Sequence, residues 1–332
     1  MFKLVKKKPK KEISLKDHYE RRNKILIKRR SGGFGDILMQ RMMFQDFSQE
    51  FPEAQITFTC PNHYLEMAKN HPYANAIELE SVKEEDYGAI YDISTACRVH
   101  ETRYGAKNQD HRSDIWSAFC GVRLTNHEMY LEPQTESLKQ CKQALKGYNP
   151  HNLKTVLLTG QSTNDEFGIS KSLTHDQTIE VVTRLREMGY YVFAIQAEKQ
   201  MIYEQLGIDQ FTAIHSQTWI ALVSLADYVI SVDTATFHMA GGLKKPLVGV
   251  FAFTNGKIYG KYYDFVLVQK KMDCGPCFNV SLCPKVNTFP KPCLTDLTAE
   301  DILRGFYEAV LRWPSSKNYQ TSKEIFLPVH KT

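Results

Sequence analysis

Short apolar runs alternate along this chain with longer stretches whose apolar positions recur every three or four residues. That alternation predicts an α/β protein. "KILIK" (24–28) predicts a strand, and Ile37 to Phe51 predicts a helix closed by Pro52. "AQITFTC" (54–60) predicts the next strand, followed by a helix near 63–70 and by two more strands in "AIELE" and "GAIYDIS" (88–94). The polar stretch Arg98 to Asp114 follows neither period and is left unassigned. "LKGYNPHNLK" (145–154) reads as a linker, after which the pattern begins again. "TVLLTG" (155–160) predicts a strand, Thr174 to Met188 a helix, and "YYVFAIQ" (190–196) a strand. "WIALVSLADYVISVDTATFHMAGGLKKPLVGVF" then gives helix, strand, loop, helix and strand.

Two successive Rossmann-like domains facing a cleft are therefore expected, 24–148 and 149–312, between a basic tail (1–23) and a C-terminal tail (313–332). The candidate chemistry stands where strands run into helices. After the first strand, "RRSGGFGD" places Gly32, Gly33 and Gly35 just before Asp36. Such a turn brings backbone N–H groups up to a phosphate, yet it also carries a carboxylate. In the second half, "SVDTATFHMAGG" sets Asp233, Thr234 and His238 around a helix start, where free N–H groups and partial positive charge suit a pyrophosphate. A nicotinamide dehydrogenase would also use two such halves. It lacks support here, because "SGGFGD" is not G-x-G-x-x-G and "ITFTCPN" ends without a ribose-binding acid.

The net charge of +5 conceals an asymmetry: residues 1–30 hold thirteen Lys/Arg against three Asp/Glu, and the remainder is mildly acidic. A basic segment of this kind is mobile and solvated, or it meets an anionic surface such as nucleic acid or a membrane. No run of about 18 apolar residues is present to form a transmembrane segment, and the basic start lacks an apolar signal core. The expected location is cytoplasmic, with peripheral contact at an inner membrane surface as an extension.

Eight cysteines divide unevenly. Cys274, Cys277, Cys283 and Cys293 form C-x2-C-x5-C-x9-C, a spacing that suits a closed four-thiolate site for structural zinc or, second, iron. Free or disulfide-forming thiols are the alternative. With the basic tail, this cluster also fits a non-catalytic nucleic-acid-binding module, which would leave the strand-end residues unused.

Four segments, "ILIKRRSGGFGDILM…FPEAQITF", "GQSTNDEFGISKSLT", "SVDTATFHMAGGLKKPLVGVF" and "CGPCFNVSLCP…KPCLTDLTAEDIL", occur in the order seen in glycosyltransferase family 9, the ADP-heptose:lipopolysaccharide heptosyltransferases. The resemblance runs from about Lys24 to Leu311 and implies the GT-B fold, with inverting sugar transfer from a nucleotide-diphosphate donor. It implies that Asp36 is the general base and that Lys171 neutralises the departing pyrophosphate. Ser162 and Thr163 would add hydroxyl contacts, Asp233 would bind sugar hydroxyls, and Thr234 and His238 would stand beside the phosphates. Glu198 would meet the nucleoside. No D-x-D occurs, so no catalytic metal is expected. Two departures touch the donor pocket: Ala235 replaces the family's D-T-G glycine, and "KSL" replaces the tryptophan after the loop lysine. The acceptor is open among a lipopolysaccharide core, a protein hydroxyl and a DNA base; His100, Arg103, His111 and Arg112 are candidates to meet it.

Overall fold

The computed structural model describes residues 23–162, 170–212, 214–277 and 291–314. Two wholly parallel sheets organise them. The first contains β1 (Lys24–Lys28), β2 (Gln55–Cys60), β3 (Asn75–Glu78) and β4 (Ala89–Asp92), in the spatial order β3-β2-β1-β4. The second contains β5 (Thr155–Thr159), β6 (Tyr191–Gln196), β7 (Asp209–Thr212), β8 (Tyr228–Val232), β9 (Leu247–Phe251) and β10 (Val266–Gln269), in the order β10-β9-β8-β5-β6-β7. In each sheet the chain moves outward from its first strand, then returns to that strand's other side. The crevice at the carboxyl ends of β1/β4 and of β5/β8 is the switch point where such sheets take ligands.

Parallel strands covered on both faces read as unbroken apolar runs. β5 (TVLLT), β8 (YVISV) and β9 (LVGVF) are buried at every position. β4 (AIYD) lies at the edge of the first sheet and is only partly covered.

Among the described residues, helices of seven residues or more are α1 (Phe34–Arg41), α2 (Phe44–Glu50), α3 (Asn62–Ala68), α4 (Ala96–Tyr104), α5 (Arg112–Phe119), α6 (Thr135–Tyr148), α7 (His175–Glu187), α8 (Ser216–Leu225), α9 (Ala235–Gly242) and α10 (Ala299–Arg312). Three expectations need correction. The single helix over 37–51 is two, α1 and α2, broken at Met42 and Met43. Both residues are buried, so the apolar pattern continues across the break and conceals it. The unassigned stretch Arg98 to Asp114 lies largely within α4 and α5. The linker reading of 145–154 overlaps the last turn of α6.

Sequence-coded caps set several of these boundaries. Thr174 and Gln177 close a capping box at α7, as do Thr298 and Asp301 at α10. Buried Arg41 gathers carbonyls from the end of α3, Met67, Ala68 and Lys69, and from Met129 and Tyr130, at 2.6–3.2 Å. One guanidinium thus satisfies a helix C-terminus and fastens a distant strand of chain to it.

The halves meet where α1 packs on α9 and α6 on α8. No helix among the described residues is long and apolar enough to cross a membrane.

Candidate functional site

The first acid stands at the carboxyl end of β1. Gly32 has φ +139°, a conformation side chains rarely adopt, and a Cβ there would lie 2.5 Å from Arg29 Nη2 and 2.8 Å from Asp36 Oδ2. The missing side chain is therefore what lets Arg29 Nη2 reach Asp36 Oδ2 at 2.9 Å. The Gly33 N–H also donates to Asp36 Oδ2, at 3.3 Å, so the carboxylate caps its own helix. A second guanidinium arrives from α5, with Arg112 Nη1 donating to Asp36 Oδ1 at 2.7 Å. Burial opposes charge on Asp36, but Arg112 and Arg29 outweigh it and hold the carboxyl below the ordinary carboxylate range.

Both arginines are themselves held. Arg29 Nη1 donates to the carbonyls of Ile93 and Ser94, and its guanidinium lies over Trp116. Arg112 forks onto Glu101, with Nε to Oε1 at 2.7 Å and Nη2 to Oε2 at 2.9 Å.

The second acid stands directly after β8, on the other side of the second sheet's switch point. Asp233 Oδ2 lies 2.8 Å from Lys171 Nζ and accepts from Thr254 Oγ1 at 2.8 Å, while Oδ1 lies 3.9 Å from His238 Nε2. Burial again opposes the charge, and Lys171 and His238 outweigh it, so this carboxyl too is below the usual range. His238 is driven down to about 4, burial exceeding the pull of Asp233 and of Asp36, and is neutral near pH 7. Its Nδ1 meets Tyr263 Oη at 3.0 Å. Thr234 is the N-cap of α9, with its hydroxyl 3.2 Å from Ser231 Oγ.

The halves touch between these acids. A Cβ on Gly35 would lie 2.9 Å from His238 Cδ2 and 3.7 Å from the Ala235 Cα. The sequence thus named one residue on each side of this contact, and His238 lies within electrostatic reach of both acids.

The remaining predicted residues are distributed less evenly. Ser162 is half-buried after β5, its N–H donating to Ser172 Oγ at 2.8 Å. Thr163 and Cys283 lie outside the described residues. Glu198 is exposed beyond the end of β6. Of the acceptor candidates, Arg112 belongs to the Asp36 cluster, whereas His100 pairs with Asn108 and Asp110 and Arg103 lies over Tyr104. His111 is buried against Ser113. Cys277 and Cys293 pack against the small cluster of Ala252, Phe253 and Leu294, and the Cys277 N–H donates to the Phe253 carbonyl at 3.0 Å. Among the described residues, no three His, Cys, Asp or Glu side chains group to hold a metal ion.

Sequence reasoning missed Arg29, Glu101 and Thr254. Arg29 and Thr254 did carry a weak signal, because each follows an apolar strand at its carboxyl end.

Residues 216–285 match the model of glycosyltransferase family 9 (heptosyltransferase). The solved structure of E. coli ADP-heptose LPS heptosyltransferase II superposes with a TM-score of 0.64 at 15% identity, over 88% of this chain and 100% of that one. A family 9 glycosyltransferase from Veillonella parvula DSM 2008 gives 0.64 at 10% identity, over 88% and 98%. The iron-containing dodecameric glycosyltransferase TibC from enterotoxigenic E. coli H10407 gives 0.67 at 16% identity, over 88% and 77%. No curated protein sequence matches the chain. Two parallel sheets, each with its own switch point, define a GT-B fold like that of these solved structures, and the family match lies on the second sheet. The resemblance to family 9 read from the sequence is borne out.

Proposed function

We propose that the protein is an inverting glycosyltransferase that moves a sugar, heptose-like, from a nucleoside-diphosphate donor to an acceptor hydroxyl. The observation that carries this reading is the pair of charge-paired carboxylates, half-buried Asp36 and buried Asp233, at the switch points on opposite sides of one seam. One acid per side matches the demands of inversion, in which the acceptor's oxygen attacks one face of the anomeric carbon while the diphosphate leaves from the other. Asp36 takes the acceptor proton, the new C–O bond forms, and the bond between the anomeric carbon and the diphosphate oxygen breaks with its electron pair on the leaving group. A carboxylate held so firmly ionised is a weak base, so proton transfer comes late, after carbon–oxygen bonding has made the hydroxyl acidic.

On the donor side, Lys171 neutralises the charge growing on the diphosphate, and the N-terminus of α9 with Thr234 offers it N–H and hydroxyl donors. Asp233 receives sugar hydroxyls, Ser162 and Thr163 add contacts, and Glu198 meets the nucleoside. Gly32, Gly33 and Gly35 form the acceptor-side loop. TibC is described in complex with ADP-D-beta-D-heptose, which supports an ADP-heptose-like donor. No step here requires a divalent metal.

The acceptor is read as anionic and of lipopolysaccharide-core type, met through the basic residues 1–23 at a membrane surface. A DNA base or a protein hydroxyl is the outcome if that acceptor fails. The match to a glycosyltransferase family model outweighs both the dehydrogenase and the non-catalytic binding readings. The described thiols do not themselves make a ligand set, so a structural zinc or iron rests on Cys283 completing Cys274, Cys277 and Cys293. TibC is named iron-containing, and elemental analysis of the purified protein checks for about one ion per chain here.

Incubating the protein with ADP-heptose and each acceptor class tests the reading. Transfer to lipopolysaccharide core with inverted anomeric configuration is expected, and retained configuration would overturn the mechanism.

A further inference from the structure

The polar stretch with no readable period holds a group that the reaction scheme leaves unused. We propose that Glu101 and Tyr259 are positioning residues for Asp36, acting through Arg112, and that Tyr259 does so from the opposite half, so the carboxylate is fully organised only when the halves meet. This rests on the reading of Asp36 as the base.

The geometry is a relay. Arg112 spends one edge of its guanidinium on both oxygens of Glu101, at 2.7 and 2.9 Å, and turns Nη1 to Asp36 at 2.7 Å. A two-point fork fixes the plane of the guanidinium, so Glu101 determines where Nη1 points. Tyr259 lies on a short helix (Gly256–Tyr259) of the other half. Its ring faces the Arg112 guanidinium at 5.2 Å and its hydroxyl donates to Glu101 Oε1 at 3.4 Å. Glu101 is only 16% exposed, and its negative charge would by itself discourage ionisation of nearby Asp36. Its presence makes sense through the cation it holds in place.

Several other groups face Asp36. Arg29 approaches from the turn after β1 and the Gly33 N–H from its own helix. Tyr64 comes from α3, Cys97 from α4, His238 from α9, and Tyr259 from the far half. Of these, Arg29 does not depend on Glu101 or Tyr259, so the relay adjusts the Asp36 environment without abolishing its pairing.

The two possible roles of Glu101 predict opposite signs. Carbon-13 NMR titration of labelled aspartate carboxyls reads Asp36 directly, its resonance assigned by loss in Asp36→Asn. If Glu101 positions Arg112, Glu101→Gln releases the fork and the Asp36 pKa rises by about one unit. If Glu101 were only a nearby negative charge, the same substitution would lower it. Arg112→Lys, which keeps the charge and loses the fork, is expected to raise it similarly. Tyr259→Leu should raise it by more than Tyr259→Phe, which keeps the ring. An Asp36 pKa unchanged or lowered in Glu101→Gln overturns the relay. Should that variant not fold, the absence of a rise in both Tyr259 variants does the same. In transfer assays with ADP-heptose, Glu101→Gln should lower kcat with donor KM within about two-fold. Transfer that survives Asp36→Asn would defeat the base reading instead, and the titration would still report on the relay.

Discussion

Asp36 and Asp233 both lie at the switch point of their half, Asp36 in the first turn of the helix after the first strand and Asp233 directly after the fourth, and they are stabilised by different cations. Asp36 is gripped by two guanidiniums, each anchored by other groups of its own half: Arg29 by backbone carbonyls, Arg112 by Glu101. Asp233 faces one ammonium, Lys171, from the loop after β5, together with a threonine hydroxyl and a neutral histidine. A fork of fixed plane suits a group that must hold one orientation while a bond forms. An ammonium on a flexible stem is a point charge that follows an anion as charge grows there. On the proposed function, the contrast matches holding on the acceptor side and following on the donor side.

The largest effect that could break this comparison is at the acceptor side. Asp36→Asn keeps the shape and loses the base, and it is expected to reduce transfer roughly 10²–10⁴-fold with donor affinity changed only a few-fold. Steady-state transfer and calorimetric donor binding check this, and equal loss in both would assign Asp36 to binding. On the donor side, Lys171→Met should cut kcat by about 10²–10³ if the ammonium meets charge that develops in the transition state. Lys171→Arg sharpens the point: it preserves charge but presents a fork, and it should recover no more than about a tenth of that loss.

The third prediction concerns pH and stability. His238 is held at about 4, and His71 and His111 at about 3, in each case chiefly by burial. In the unfolded chain these imidazoles take up protons near pH 6.5, so between that pH and 3–4 the unfolded state binds more protons. Their contribution to stability is therefore complete above about pH 6.5 and is lost as pH falls, by roughly 1.4 kcal/mol per pH unit for each histidine. Melting temperature measured from pH 8 to 4 should fall below about 6.5. Asp36 and Asp233, with depressed folded values, withdraw their share only at lower pH, below the ordinary carboxylate range. A melting temperature level between pH 6.5 and 5 would mean that these imidazoles are not buried neutral.

The smallest expected effect is at the seam's outer clasp. There Asp114 of α5 accepts from Tyr262 Oη at 2.6 Å and from Lys261 Nζ at 3.0 Å, beside the His127 ring stacked on Tyr262. Asp114→Asn should cost about 1 kcal/mol of stability, read by urea denaturation, with little change in donor affinity.

Central strands were legible because burial on both faces writes continuous apolar runs, and β1, β5 and β8 were placed with their carboxyl-end loops; the short, partly covered edge strands β7 and β10 were not read. Asp36, Lys171 and Asp233 were legible through their positions in those loops and their motif order. Arg29, Glu101 and Tyr259 were not. Their contribution arises from contacts between residues as distant as Asp36 and Arg112, or Glu101 and Tyr259, and such pairing leaves no period in a sequence. α4 was hidden for a related reason: only Ala96 and Cys97 are buried in it, so it has almost no apolar stripe to read. The break between α1 and α2 was concealed by the opposite condition, an apolar pattern that ran straight through it.

The near-contact of Gly35 with the His238 ring sets a mechanical tolerance. With only 2.9 Å between a virtual Cβ at position 35 and His238 Cδ2, the hydrogen atom of glycine is the clearance of the joint. A methyl group at that point would act as a wedge, propping the halves apart by a few tenths of an ångström to more than that, according to how far the ring can yield. Asp36 lies on α1 and Asp233 just before the N-cap of α9, the two helices that meet at this joint, so a wedge there would shift one acid relative to the other without touching either. The spacing between the two acids is thereby gauged by a side chain that is not there.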